Sequence, residues 1–435
     1  MKDLVDPVLS RRGLVSGLGI GAVAGLSGCG GFRLQSDGSD RPDDVLQFTL
    51  WAGDVEEQAF RALAAGFEKE NDVTVRLQIV PFSQALTTVD TGLRVDNPPD
   101  VFRVTYNDVG LYRDQGVLAS LDDSVVDALR PAVGEQFWAA VTDDRGTFAV
   151  PHHTDTSMLL VNTEALASAG IDTIPDSPDQ AWTWEEFATV AEAVRNNASG
   201  GRYAAAVNWQ QAGAFRWLNW VDQGGGRLLT SGLGDSVQDP DQLVAAMGFT
   251  RRLFTEGLVP RSSLPKSSQY TDQLFVAETV AMAWVGNFSL PGMDIPFDWQ
   301  ATFLPQQARA SADLGGNSLA AVDGPRKEAA QAFIAYCLQK QQQADYCAAT
   351  GVLPTRNDID TASLDYPVDP AIMARYARQS QDVRTDLVRQ VTIPKFNAVN
   401  SVLVDELELS FLSPDDSDEA RAASLLDAVS AEMTR

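Results

Sequence analysis

Residues 45–82 read strand, helix, strand, and that order constrains the fold more than any other stretch of the chain. "VLQFTLWAG" (45–53) is a β-rich run bounded by glycine, "EEQAFRALAAGFEKEN" (56–71) carries apolar residues at helical spacing, and "VTVRLQIVPF" (73–82) is a second β-rich run. A strand, a crossover helix and a second strand fold as a right-handed unit onto a parallel sheet. "DVFRVT" (100–105) adds a third strand behind the turn signal Asn97-Pro98-Pro99. The chain has 435 residues, enough for two domains of ordinary size.

Later segments repeat the pattern. "GTFAVPHHTDTSMLLVN" (146–162) is extended and interrupted by Pro151, the form expected of a crossover between two lobes. "TWEEFATVAEAVRNNASGG" (183–201) is a capped helix with Thr183 as N-cap and Glu186 three residues on. Residues 241–257 and 327–351 have helical periodicity, 279–290 form a strand entering a loop, 317–322 form a short strand, and the chain from about Pro370 onward is helical. Strand runs at both ends of the middle region imply two discontinuous α/β lobes. Their expected limits are 45–153 plus 314–356 for lobe I, and 154–313 plus 357–435 for lobe II.

The N-terminus reads as an export signal. Arg11 and Arg12 precede a short Gly/Ala/Leu/Val segment that ends in Leu26-Ser27-Gly28-Cys29. The paired arginines resemble a twin-arginine signal, with Leu14 where such signals usually carry Phe. The Leu-Ser-Gly-Cys ending resembles a lipobox. On that reading residues 1–28 are a signal peptide, Cys29 is the lipidated first residue, and 29–44 are a flexible tether. No later segment is long and apolar enough to span a bilayer. The other cysteines, Cys337 and Cys347, would lie about 15 Å apart on one uninterrupted helix, too far to be bridged. A turn near Gln341 to Gln343 would allow a disulfide, and two buried thiols are the alternative.

Lys and Arg total 33 against 59 Asp and Glu, a formal net charge of -26. Such a surface repels nucleic acid and anionic lipid and favours a neutral or cationic small ligand. The two histidines, His152 and His153, are adjacent. Consecutive residues on an extended chain face opposite ways, so the pair is not expected to share a metal ion, and only His153, in phase with Asp155, faces the cleft. There is no G-x-S-x-G, P-loop, H-E-x-x-H or strand-borne G-x-G-x-x-G, which argues against an enzyme. "GGGRLLTSGLG" (224–234) lacks the Lys-Ser/Thr ending of a phosphate cradle. A glycosidase needs only two suitably spaced carboxylates, so a secreted carbohydrate-active enzyme is the alternative from another class.

Ligands of open α/β sheets bind beyond the carboxyl ends of the strands. Here those positions hold Trp51 and Asp54, then Thr105, Tyr106 and Asn107, then Asp155. Later come Trp209, Gln210 and Phe215, followed by Trp284, Asn287 and Phe288, and finally Gly316 and Asn317. Aromatic rings with Asp, Asn and Gln are what a sugar requires, with C–H faces on rings and hydroxyls on carboxylates and amides.

Six segments in order, beginning "FTLWAGDVEEQAFRALAAGFEKENDVTV", "NPPDVFRVTYNDVGLYRDQGVLASLDD" and "GTFAVPHHTDTSMLLVNTEALASAGI", resemble the carbohydrate-type extracellular solute-binding proteins of bacterial ABC importers. "TWEEFATVAEAV", "AMAWVGNF" and "KEAAQAFIAYCLQKQQQADYCAATGVLPTR" complete the match. The resemblance implies a maltose-binding-protein-like, two-lobed α/β fold with an interlobe hinge closing on a ligand in the cleft. It implies hydroxyl binding by Asp155 and ligand contacts by Asp54, Thr105, Tyr106 and Asn107. Phe288 takes the place of an aromatic platform where relatives often have Trp. Ala212 and Ala214 replace larger residues of the maltose binders, which counts against maltose itself. The function implied is capture of a sugar or oligosaccharide for a membrane permease, by a monomer needing no cofactor, no metal and no covalent step. Another solute, such as a glycerophosphodiester or amino sugar, is the alternative.

Overall fold

The computed structural model describes residues 41–198, 200–210, 212–229 and 240–435. The expected signal peptide, Cys29 and most of the tether lie outside the described residues, as do Gln211 and the end of the glycine-rich 224–234 run.

Among the described residues, nine strands build the two large sheets, beside a small hairpin of Thr142–Asp143 and Gly146–Thr147. The nine are β1 (Val45–Leu50), β2 (Thr74–Ile79), β3 (Val101–Thr105), β4 (Val150–Asp155) and β5 (Ser157–Asn162), then β6 (Tyr203–Ala206), β7 (Val280–Gly286), β8 (Trp299–Thr302) and β9 (Gly315–Ala321). The first sheet runs β2-β1-β3-β9-β4 and the second β8-β5-β7-β6. β1 pairs in parallel with β2 and β3, and α1 (Asp54–Glu70) is the crossover the first stretch of sequence predicts. All of β1 except Gln47 is buried, as expected of a parallel strand covered on both faces.

The chain leaves the first sheet at Asp155, and Ser157 opens β5 in the second. The crossover is therefore Thr156, and the first sheet ends two residues beyond the expected division at 153. β9 returns the chain to the first sheet, antiparallel to both β3 and β4. Helix α2 (Tyr106–Asp114) follows β3 directly, and α3 (Trp184–Asn197) starts at the predicted capping box. There Glu186 N donates to Thr183 Oγ1 at 3.2 Å, and Thr183 N donates to Glu186 Oε2 at 2.7 Å.

The helical 327–351 stretch is two helices, α4 (Lys327–Cys337) and α5 (Lys340–Thr350), broken at Leu338-Gln339. Cys337 and Cys347 are both free and buried, so no disulfide joins them. The C-terminal helices do not belong to one lobe. Thr385–Val391 packs on the first-lobe helix Glu135–Val141, and α6 (Phe396–Leu412) touches both lobes. In α6, Asn397 Nδ2 donates to Asp108 Oδ1 on one side, and Asn400 Nδ2 donates to the Ala212 carbonyl at 2.9 Å on the other.

Candidate ligand-binding cleft

A cavity of about 740 Å³ lies where the two lobes face each other. The carboxyl ends of β1 and β3 deliver Trp51, Asp54, Thr105, Tyr106 and Asn107 to its wall; β4 delivers His153 and Asp155, and β9 delivers Gly316 and Asn317. The second lobe contributes Gln210, Phe215 and Phe288. Three expected residues lie elsewhere. Trp209 is buried, with its ring stacked 5.4 Å from Phe411. Trp284 projects from the other face of β7, 5.1 Å from Phe187 and 5.7 Å from Trp220. Asn287 is fully buried between the crossover and α5, accepting from Thr156 N at 2.9 Å and donating to the Gly351 carbonyl at 2.9 Å. Strand alternation decides Trp284, which lies inside β7 and takes the face away from the cavity, whereas Trp209 and Asn287 lie beyond their strands.

Arg103 organises the first-lobe wall. Its side chain is buried in β3, where Nη1 donates to the Trp51 carbonyl at 2.7 Å and Nη2 to Glu56 Oε1 at 2.7 Å. The guanidinium carbon lies 4.7 Å from the Trp51 ring centre, a cation–π contact that holds the indole at the mouth. Burial works against ionising Glu56, but Arg103 outweighs it and keeps the carboxyl below its ordinary range. The hydrogen-bond pattern sets the Asn317 oxygen toward Arg103 Nη2 at 3.0 Å and His153 Nε2 at 3.1 Å. That makes Nε2 the protonated nitrogen of His153, so its Nδ1 accepts from His152 Nδ1 at 3.1 Å. His152 Nε2 is then a lone pair and has no partner.

This contact corrects the expectation that the two imidazoles face opposite ways. Asn317 pairs with His153 but Ser318 pairs with Pro151, so His152 is the extra residue of a β-bulge. The bulge breaks the alternation and brings the rings together, with Tyr346 packed 4.4 Å from His152 and 5.5 Å from His153. Burial, reinforced by Arg103, pushes His152 down to about 3 and His153 well below the ordinary histidine range. Both are neutral at physiological pH. Only His153 reaches the cavity wall; His152 stacks on Phe60 in the core.

Asp155 is the buried acid of the site. It is 8% exposed, and among the described residues its carboxylate has no hydrogen bond or ion pair. Burial raises it to about 6; Arg216 and Arg103 pull against that, while Asp313 and Glu56 add to it. Gly315 is required beside it, because a Cβ there would collide with Asp155 Oδ1. Across the cavity Arg216 lies 4.7 Å from the Phe215 ring centre and donates to Asp313 Oδ2 at 3.0 Å. Asp313 is itself buried and accepts from Ser157 N and Oγ at 3.1 and 3.2 Å. At the rim Phe288 is 47% exposed, and Phe82 is 54% exposed with its edge on Trp51 at 5.2 Å.

Sequence reading missed Arg103, Glu56, Phe82, Arg216 and Asp313. Arg103 had a signal, since an arginine inside the apolar run "VFRVT" must be buried and therefore partnered. Among the described residues, no group of three or more His, Cys, Asp or Glu is placed to hold a metal ion, and no helix is long and apolar enough to cross a membrane.

Known proteins share this fold. The chain is similar to the diacetylchitobiose binding protein DasA of Streptomyces coelicolor, with 23% identity over 371 residues, 81% of this chain and 84% of that protein. Among solved structures it is similar to the cyclic alpha-maltosyl-1,6-maltose binding protein from Arthrobacter globiformis, with TM-score 0.74, 18% identity, and coverage of 89% of this chain and 98% of that one. It is also similar to UgpB from Mycobacterium tuberculosis in complex with glycerophosphocholine, with TM-score 0.73, 20% identity, and coverage of 89% and 98%. At these identities the structures show the fold, that of the two-lobed periplasmic sugar-binding proteins. The family model for bacterial extracellular solute-binding proteins matches residues 52–344, more than half of the chain, and this protein is a member of that family.

Proposed function

We propose that this protein is the substrate-binding subunit of an ABC importer and that it captures a sugar or oligosaccharide by closing its lobes. The observation that carries the reading is Asp155, a buried carboxylate with no hydrogen-bond partner among the described residues, on the wall of a cavity fronted by Trp51, Phe82 and Phe288. A carboxylate accepts hydroxyl pairs while aromatic faces cover C–H surfaces, the combination a pyranose needs. Sugar binding in the relative DasA supports the same class. Asp54, Thr105, Tyr106, Asn107, His153, Gln210, Phe215, Gly316 and Asn317 would complete the contacts. Trp209, Trp284 and Asn287 would act from the core and the crossover.

A phosphodiester ligand, suggested by UgpB, fits less well. The two arginines on the wall are already paired with Glu56 and Asp313, so a phosphate would meet carboxylates. The closed form would dock on permease subunits in the membrane. We assign export to the N-terminal signal, by the twin-arginine or the general secretory route, and anchoring on the outer face of the membrane to a lipid on Cys29. Lobe I would comprise 45–155 plus 314–356 and lobe II 157–313, with the C-terminal helices shared between them and the hinge at Thr156. The protein would work as a monomer, without cofactor or covalent step.

Thermal unfolding with a panel of sugars tests the reading. A ligand at 100 times its dissociation constant stabilises the protein by about 2.7 kcal/mol and is recovered unchanged. Turnover of the sugar, or a shift with peptides or metals alone, would overturn it.

A further inference from the structure

The chemistry of the cavity wall narrows the ligand beyond "sugar", on the premise that the cleft takes a polyol at all. Five carboxylates line it, Asp54, Glu56, Asp108, Asp155 and Asp272, against two guanidinium groups, Arg103 and Arg216. Both cations are engaged, Arg103 by Glu56 at 2.7 Å and Arg216 by Asp313 at 3.0 Å. The charge that remains is negative. Asp108 and Asp155 are both more than nine-tenths buried on the wall, but Asp108 accepts from Thr105 and Asn397 whereas Asp155 has no hydrogen bond among the described residues.

Behind the wall, closed to solvent, three amide oxygens lack donors among the described residues. Gln210 spends its Nε2 on the carbonyls of Val207 and Ser263, at 2.7 and 2.6 Å, and its Oε1 has no partner. Asn400 spends its Nδ2 on Ala212, and its Oδ1 likewise has none. Asn107 Oδ1 is a third buried acceptor without a donor. These oxygens are closed to the cavity, so the group a ligand can reach is Asp155, and a buried carboxylate is costly until a donor and a counter-charge arrive. Neutral hydroxyls supply donors only. An ammonium group supplies both.

We infer that the ligand is an ammonium-bearing polyol, such as an amino sugar with a free amine, and that the protonated amine binds at Asp155. A charge-assisted hydrogen bond is about twice as strong as a neutral one, which corresponds here to a preference of roughly tenfold over the hydroxyl analogue.

Isothermal titration with three β-1,4-linked disaccharides that differ only at C2 tests this directly: the glucosamine dimer, diacetylchitobiose and cellobiose. At about pH 7 the free amine is expected to bind roughly tenfold more tightly than cellobiose. The advantage is expected to vanish in Asp155→Asn. In the wild-type protein it should also shrink as the pH falls through about 6, where Asp155 takes up a proton. That titration is set by burial and by the charged groups that act on Asp155, namely Arg216, Arg103, Glu56 and Asp313. The wild-type profile keeps the test decisive if Asp155→Asn folds poorly. Parity among the three sugars, or preference for the acetamide or hydroxyl form, overturns the amine assignment and leaves the polyol reading standing. Glycerophosphocholine bound through Asp155, with the amino sugar ignored, overturns the amino-sugar form and assigns the ammonium to a choline head. Binding of none of the four overturns both readings.

Discussion

Asn287 donates from Nδ2 to the Gly351 carbonyl at 2.9 Å while its Oδ1 accepts from Thr156 N, so one buried amide ties the crossover to the end of α5. Removing it strands a donor and an acceptor, each costing about 1–3 kcal/mol when buried. Asn287→Ala is expected to lower the denaturation midpoint and to alter affinity through the hinge, while every side chain on the cavity wall stays in place. Urea unfolding alongside ligand titration checks both.

Phe288 and Trp284 lie four residues apart but take opposite roles. Phe288 is 47% exposed at the rim and Trp284 is 5% exposed in the core. Phe288→Ala should cost affinity with little change in stability. Trp284→Ala should cost about 3–5 kcal/mol of stability, as for other large core truncations. Equal stability losses in the two variants would show that the cleft does not expose Phe288.

Asp155 makes the unliganded protein sensitive to acid in an unusual direction. Burial raises the folded-state value to about 6 from an ordinary 3.8, so folding favours the protonated form. Its contribution is therefore fully present below about pH 3.8 and lost as the pH rises through about 6. Asp155→Asn should be stabilised relative to wild type at pH 7 and not at pH 4. Melting curves of both proteins across that window measure it.

Arg103 is shared by Trp51, Glu56 and Asn317, and its fork geometry is what permits this. Arg103→Lys is expected to recover the charge but not the bonds, and to lose at least about 2 kcal/mol together with ligand affinity. If lysine substitutes without loss of affinity, Arg103 does not position Trp51.

Thr183 caps α3 far from the cavity. Thr183→Ala should cost about 1 kcal/mol and leave ligand affinity unchanged, by calorimetry on both properties.

These sites show which parts of the molecule are legible in a linear chain. The β1–α1–β2 unit and the Thr183 cap depend on neighbours in sequence, and periodicity and capping chemistry reveal them. The bulge at His152 depends on register with β9, some 160 residues away, and no local pattern encodes it. Trp51 and Trp284 both follow strand-like runs, yet only the packing of α3 decides that Trp284 turns inward against Phe187. The α4–α5 break carries neither proline nor glycine, so composition does not mark it. Arg103 is the intermediate case: its burial can be foreseen, but not its partners.

Cys337 and Cys347 are buried on successive helices, and burial pushes both thiols well above the ordinary range. Thiols in that state are poor nucleophiles, so the described part of the molecule neither needs an oxidant to mature nor reacts readily with one. Its native form is equally accessible in a reducing compartment and outside the cell. For a chain that carries the paired arginines Arg11 and Arg12, the order of folding and translocation is therefore left unconstrained by redox chemistry.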